Sequence, residues 1–247
     1  MDADYGARYA ELYHRHWWWR AREEFLDRLL KRLLGEKPDG ELLDFGCGDG
    51  LFFPVLQRYG NPQGIEPEAA LLDSKGPWRS RIRTEPLAFD AAETARYRLV
   101  VALDVLEHIA DPAPVVRELS RRLKPGGWFI ATVPAFQSLW TTHDDLNHHQ
   151  RRYTVAELES LMRGQGLEII ESRYFFCWLA FAKWGVVQLE RLRKPAPKPP
   201  GVPAEPINSL VLAATRLEQR LLGDAHPPFG SSVLIVARVS RDARPSP

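Results

Sequence analysis

The stretch ELLDFGCGDGLFFPVLQRYG, Glu41–Gly60, decides the fold. It opens as a short apolar strand that runs into glycines at alternate positions, Gly46, Gly48 and Gly50. A second apolar run follows, in which Pro54 is tolerated within the first turn of a helix. Strand, glycine turn and helix in that order let a ligand lie against exposed backbone and a helix N-terminus. The spacing is GxGxG. Leu51 stands where the GxGxxG dinucleotide fingerprint has its third glycine, which disfavours a pyrophosphate.

Working outward, QGIEP reads as a second strand that ends in Glu66, twenty residues after Gly46. A carboxylate there can accept hydrogen bonds from both ribose hydroxyls, so the expected ligand is a nucleoside. EAALLDSKG reads as a second helix and IRTEP as a third strand. YRLVVALDV is the strongest strand, followed by the loop LEHIADP and a helix that stops at Gly126 and Gly127. GGWFIATVP is another strand. Thr154 with Glu157 three residues on opens a further helix, and a strand starts at Leu167. Strands alternating with helices at this spacing mean a mainly parallel, doubly wound α/β sheet.

Upstream, Asp4–Leu34 reads as one helical preface with Phe25, Leu29, Leu30, Leu33 and Leu34 on one face. Downstream of Tyr174 comes the aromatic segment FFCWLAFAKWGVVQLERLRK. Six prolines then fall between Lys194 and Ile207, before an amphipathic helix and a last apolar strand, SSVLIVARV. The expected organisation is a helical cap over 1–40, a nucleoside-binding core over 41–173, an aromatic and proline-rich helical insertion or lid over 174–229, and the last core strand over 230–240.

At 247 residues, with 45% hydrophobic and 26% charged residues, the chain is long enough for one large α/β domain or two small ones. A formal net charge of +1 leaves no field over the whole molecule for nucleic acid. Two cysteines, Cys47 and Cys177, form neither a disulfide framework nor a zinc site, which suits a reducing cytoplasm. The N-terminus has no apolar core of a secretory signal, and the expectation is an intracellular protein.

Four motifs in order, LLDFGCGDG, GIEP, VALDVLEHIADP and LKPGGWFIATVP, resemble the class I S-adenosylmethionine-dependent methyltransferases, in the small-molecule branch with ubiquinone-pathway O-methyltransferase-like motifs. The resemblance runs from about Trp17 to Val239. It implies a Rossmann-like fold with a mainly parallel seven-stranded sheet, an N-terminal helical cap and a C-terminal helical insertion. It also implies S-adenosyl-L-methionine as cofactor and a small-molecule or lipid-linked methyl acceptor. By the same resemblance, Asp44 and the backbone at Gly46, Cys47 and Gly48 belong to the cofactor site, with the glycine turn near the methionine part. Glu66 takes the ribose, and Leu103 and Asp104 line the pocket. Glu85, with Asp90 as alternative, reads the adenine, and Arg22, with Arg20 second, reaches the cofactor carboxylate.

The family takes acceptor groups from the segment after the fifth strand, here WTTHDDLNHHQRRY, Trp140–Tyr153, which holds three of the seven histidines. Three readings compete. His143, Asp144 or Asp145, His148 and His149 offer metal ligands, but without any closed zinc spacing. A histidine near neutral pH can take a hydroxyl proton while an aspartate fixes its ring. Arg151 or Arg152 can instead pair with Asp144 or Asp145 in a structural loop. The expectation carried forward is a base, His143 ahead of His148, held by Asp145 or Asp144, with no metal. His108 of LEH is read as orienting its loop. The aromatic segment is shorter than the roughly 20 residues of a spanning helix, so it is a lid or a membrane-surface helix. The alternative to an enzyme is a scaffold that binds cofactor without turnover.

Overall fold

The computed structural model describes residues 3–84, 87, 93–193, 196, 200–223 and 225–240, with side chains from Tyr9 onward. Eight helices and seven strands are defined among them. They run α1 (Ala3–Arg15), α2 (Trp17–Leu34), β1 (Glu41–Phe45), α3 (Phe53–Leu56), β2 (Asn61–Ile65), β3 (Ile82–Arg83), β4 (Tyr97–Leu103), α4 (Pro112–Arg121), β5 (Leu123–Pro134), α5 (Thr142–Leu146), α6 (Val155–Gly164), β6 (Leu167–Phe175), α7 (Cys177–Arg193), α8 (Glu205–Leu222) and β7 (Ser232–Val239). The strands form one sheet in the order β3-β2-β1-β4-β5-β7-β6, parallel except for β7, which is antiparallel to both of its neighbours.

Both faces of the sheet are covered, which is why its central strands are continuously apolar. Alternate residues of β4 serve the two faces. Leu99 and Val101 meet Phe25, Leu26, Leu29 and Leu30 of α2 and Leu212 of α8, while Val100 and Ala102 meet Val116 and Leu119 of α4 and Leu158 and Met162 of α6. The expected box at Thr154 and Glu157 opens α6, with Thr154 Oγ1 accepting from Glu157 N.

Two expected helices differ. The preface is broken at His16, whose Nδ1 accepts from Trp18 N at 3.1 Å and so caps α2 as a separate helix. EAALLDSKG holds only one 3-10 turn, Ala69–Leu71. Its polar end follows side-chain bonds instead: Asp73 accepts from Lys75 N at 2.9 Å, and Asp49 accepts from Asp73 N at 3.1 Å. Such short acids offer the backbone a turn in place of a helix.

Non-glycine residues with left-handed backbone gather where strands end. Asp104 follows β4 (φ 56°), Phe136 lies just beyond β5 (φ 55°) and Phe176 follows β6 (φ 58°). Such conformations persist only where the surroundings enforce them. All three lie at the carboxyl rim of the sheet, beside Ser231 and Ser232 at the start of the reversed β7.

Candidate active site

The rim above β1, β2 and β4 is a cleft built from backbone and acids. Gly46 (φ 73°) donates its N–H to Ile65 O at 2.8 Å, and a Cβ there would lie 2.5 Å from Val105 Cγ2. Gly48 (φ 51°) has open space where a Cβ would project. Its N–H donates to Glu66 Oε2 at 2.9 Å, while Glu68 N donates to Glu66 Oε1 at 2.9 Å. Asp44 and Glu66 are both buried. Burial pushes the Asp44 carboxyl up to about 8 against the pull of Arg22, and it raises Glu66 despite the two backbone donors. Burial also holds the Cys47 thiol protonated, so this loop offers no thiolate nucleophile.

Helix α2 sends one cation into the cleft. The buried Arg22 guanidinium lies 5.3 Å over the Trp18 ring, and its Nε is 2.9 Å from Asp104 Oδ2. The pair meets as charges without hydrogen-bond alignment, so Arg22 Nε and Asp104 Oδ2 are both buried with an unfilled hydrogen-bonding direction. Leu103 packs against the core beside them. Of the residues expected here, Asp44, Gly46, Cys47, Gly48, Glu66, Asp104 and Arg22 belong to one neighbourhood, whereas Glu85 and Asp90 lie outside the described residues.

Asp104 also lines a cavity of about 620 Å³ walled by Trp17, Trp18 and Trp19, by the 140s segment and by α7. Here the structure departs from the expected arrangement. Thr141 and Asp144 form a capping box that opens α5 and turns Asp144 inward, where it is fully buried. Asp144 Oδ1 lies 2.8 Å from His149 Nδ1 and accepts from Arg152 Nε at 2.9 Å, while Oδ2 accepts from Arg152 Nη2 and Thr141 N, each at 2.8 Å. Burial opposes its charge, but the bonds from His149 and Arg152 hold the Asp144 carboxyl well below the usual carboxylate range.

Asp145 is exposed and accepts from Trp140 Nε1 at 2.9 Å, so it holds no histidine. His148 is exposed, takes a left-handed backbone (φ 56°) and is not part of the cavity wall. His143 does line the cavity, but its Nε2 is 3.1 Å from the Asn147 side-chain amide nitrogen, which can only donate, so that ring lone pair is engaged. Burial, then Lys183, pushes His143 down to about 4.

The segment reading missed His149 as the ring held by the aspartate, and it missed Glu107. The His108 ring meets His149 edge-on at 4.6 Å. Glu107 is 1% exposed, its Oε2 has no hydrogen-bond partner among the described residues, and burial followed by Asp104 holds its carboxyl well above the ordinary value. Glu107, His108 and His149 each bring one ligand atom within 4.8 Å of the others. The T-x-x-D spacing of Thr141 and Asp144 was the available signal that Asp144 turns into the fold. Nothing comparable marks Glu107.

Fold and site together define a Rossmann-like protein with a glycine-turn and carboxylate cleft of the kind that takes a nucleoside, and a second cavity beside it. A family model described as Methyltransferase domain matches residues 18–172. The chain is 30% identical over 146 residues to a ubiquinone biosynthesis O-methyltransferase of Leptothrix cholodnii, covering 51% of this chain and 61% of that one. It is 32% identical over 204 residues to the protein of the same name from Thiobacillus denitrificans, covering 69% and 85%. The fold is shared with a chain of the complex between the Haloferax volcanii Trm112 methyltransferase activator and a methyltransferase, at TM-score 0.60 and 18% identity over 98% of this chain and 96% of that one. The chain belongs to the class I S-adenosylmethionine-dependent methyltransferases, and its cofactor is S-adenosylmethionine.

Proposed function

We propose that the protein methylates a hydroxyl oxygen of a small-molecule or lipid-linked acceptor. The observation that carries this reading is His149 in the wall of a cavity that adjoins the cofactor cleft, with its Nδ1 2.8 Å from the buried Asp144 carboxylate behind it. With Nδ1–H donated to a buried carboxylate, His149 keeps Nε2 as the free lone pair that can take a hydroxyl proton. Asp144 is a positioning residue, fixed in turn by Arg152. His149 thereby takes precedence over the expected His143, His148 and Asp145. Its edge contact with His108 fixes the ring from a second side.

The cleft fits the cofactor. Glu66 would accept from the ribose hydroxyls, the Gly46–Gly48 backbone would lie along the methionine part, and Arg22 would meet the carboxylate. Asp104 would bring negative charge to the sulfonium side, and Asp44 would offer a buried carboxyl to hydrogen-bond the ammonium. Bound S-adenosylmethionine supplies an electrophilic methyl group, and the protein's part is to orient it, exclude water and hold the proton acceptor.

Helix α7 supports both expected roles of the aromatic segment at once. Leu179, Lys183, Val186 and Glu190 face the cavity, as a lid would, and Glu190 accepts from Thr142 N and Oγ1 at 2.9 Å each. Phe181, Trp184 and Leu192 are 65%, 60% and 84% exposed, next to Arg191 and Arg193. No described helix is long and apolar enough to cross a membrane. A peripheral contact with an anionic bilayer would bring the cavity to a lipid-linked acceptor.

His149→Ala should lower turnover, read as S-adenosylhomocysteine formed with a panel of catechols and phenols, by about 10² to 10⁴ while cofactor affinity stays near the parent value. Unchanged turnover would end the base assignment, and cofactor binding without turnover on any acceptor would favour a scaffold. The Glu107, His108 and His149 cluster favours one other reading, a divalent cation that polarises the acceptor hydroxyl. Loss of activity on chelation, restored by a divalent ion, would establish it.

A further inference from the structure

Helix α7 places Lys183 in the cavity wall between two aliphatic neighbours, Leu179 one turn before it and Val186 one turn after. Among the described residues the other charged groups around the cavity have partners. Arg152 gives two nitrogens to Asp144, and Arg22 lies against Asp104. Both Glu190 oxygens accept from Thr142, and burial raises the Glu107 carboxyl above its ordinary value. Lys183 alone among these carries a charge with no hydrogen bond or ion pair to any described residue. It is also half-buried, and burial followed by Arg152 pushes its ammonium down to about 8, still largely charged at neutral pH.

An unpaired ammonium beside aliphatic and indole surfaces is costly unless a ligand completes it. We propose that Lys183 is the anchor for a single carboxylate on the methyl acceptor, so that the preferred acceptors are hydroxylated aromatic acids. This rests on the reading of the cavity as the acceptor site. The aromatic part follows from Trp17, Trp18 and Trp19, which line one wall and make it favourable to an aromatic ring. The single charge follows from the inventory above. One ammonium balances one carboxylate, whereas a phosphate dianion would bring a second charge that no other free cation among the described residues of the cavity wall meets. The N-terminus of the five-residue α5 does not supply it, because Glu190 already places a carboxylate on Thr142 N. Lys183 on α7 and His149 on the 140s segment line the same cavity, so one ligand can meet both.

The test is equilibrium binding to the full chain saturated with S-adenosylhomocysteine, read by calorimetry, with a matched pair of probes: 3,4-dihydroxybenzoate and catechol, which differ by the carboxylate. The parent protein should bind the acid about tenfold or more tightly than catechol, the order expected of one charge-assisted contact. Lys183→Met should bring the ratio close to one, Lys183→Gln should do the same, and Lys183→Arg should keep most of the preference. S-adenosylhomocysteine affinity, unchanged in all three, certifies that each variant is folded. Equal binding of the two probes by the parent, no binding of the acid, or a preference that survives in Lys183→Met would each overturn the proposal. Turnover is measured separately. A carboxylate preference without methyl transfer would sink the proposed function and leave this site standing, while equal turnover of both probes in parent and Lys183→Met would do the reverse.

Discussion

The cleft at the glycine turn and the cavity proposed for the acceptor share Asp104 but are built in different ways. The cleft is assembled from strand ends and the loops that leave them, with Gly46, Gly48, Glu66 and Asp104 each within a residue or three of a sheet strand. Its geometry is set by backbone that the sheet already fixes. The cavity is assembled from side chains of α2, the turn after β4, the 140s segment and α7, brought together only by the finished fold. A site of the first kind is specified by short motifs. One of the second kind is specified by which of several similar side chains a helix turn points inward.

If that difference is real, the two regions should fail independently, and the largest effect should come from the cavity's buried ion pair. Asp144→Ala leaves the Arg152 guanidinium buried without its carboxylate, and breaking such a pair typically costs about 3 to 5 kcal/mol. Urea unfolding should show a loss of that order, since both side chains are essentially buried. The folded fraction should still bind S-adenosylhomocysteine with an affinity close to the parent's. A parallel collapse of cofactor affinity would mean that the cavity also holds the cleft together.

The converse perturbation is Glu66→Ala. It removes a buried acceptor from the ribose position and from Gly48 N, and hydrogen bonds to a charged group are worth about 1.5 to 3 kcal/mol each. Cofactor affinity should fall about tenfold or more with the acid-to-catechol binding ratio unchanged. Calorimetry showing parent affinity would take Glu66 out of the cofactor site.

The same contrast explains what could be read without coordinates. The continuous apolar run of β4, the glycine turn and the ordered motifs specify a doubly wound sheet because both faces of each central strand must be buried. The site at the strand ends follows from that order. In the 140s segment the residue types were legible but not their directions. Two aspartates and three histidines lie within seven positions, and one and a half turns of helix decide that Asp144 points in, Asp145 out and His148 away. EAALLDSKG failed for a related reason: its helical apolar spacing is short, and the local bonds of Asp73 and Asp49 outweigh it.

Acid should sharpen the comparison further, because the cavity side carries the buried histidine and the ion pair. His143 is held at about 4 by burial, below its unfolded value near 6.5. The unfolded chain therefore binds a proton that the folded chain does not, and stability falls as pH drops from about 6.5 to 4. Asp144 has a depressed carboxyl, so its contribution is complete above its unfolded value near 4 and is lost as pH falls further. Burial lowers His16 and His108 in the same sense, whereas the raised Asp44, Glu66 and Glu107 carboxyls take up protons in the fold and stabilise it as pH drops. The quantity that isolates His143 is therefore the difference in urea midpoint between the parent and His143→Gln, which should move against the parent from pH 7 to pH 4. A difference that stays constant over this range would contradict the assignment.

The smallest effect on stability is expected on the outer face of α7, which neither region uses. Phe181, Trp184 and Leu192 are exposed, and changing exposed residues away from caps and ion pairs typically alters stability by no more than about 0.5 kcal/mol. Their cost lies elsewhere, in apolar area left in water. The exposed Ile207, Leu210, Leu217 and Leu221 recur at helical spacing along α8, so this is a face rather than scattered side chains. If a bilayer surface covers it, basic groups at the end of α7 attract anionic lipid and the aromatics insert shallowly. The parent chain should then sediment in part with anionic vesicles at low salt, with Trp184 emission shifted to the blue. The double variant Trp184→Ser, Leu192→Ser should stay in the supernatant while keeping its urea midpoint and its affinity for S-adenosylhomocysteine. Equal sedimentation of parent and variant would remove the membrane role from this face, leaving α7 as a lid whose inner residues alone matter to function.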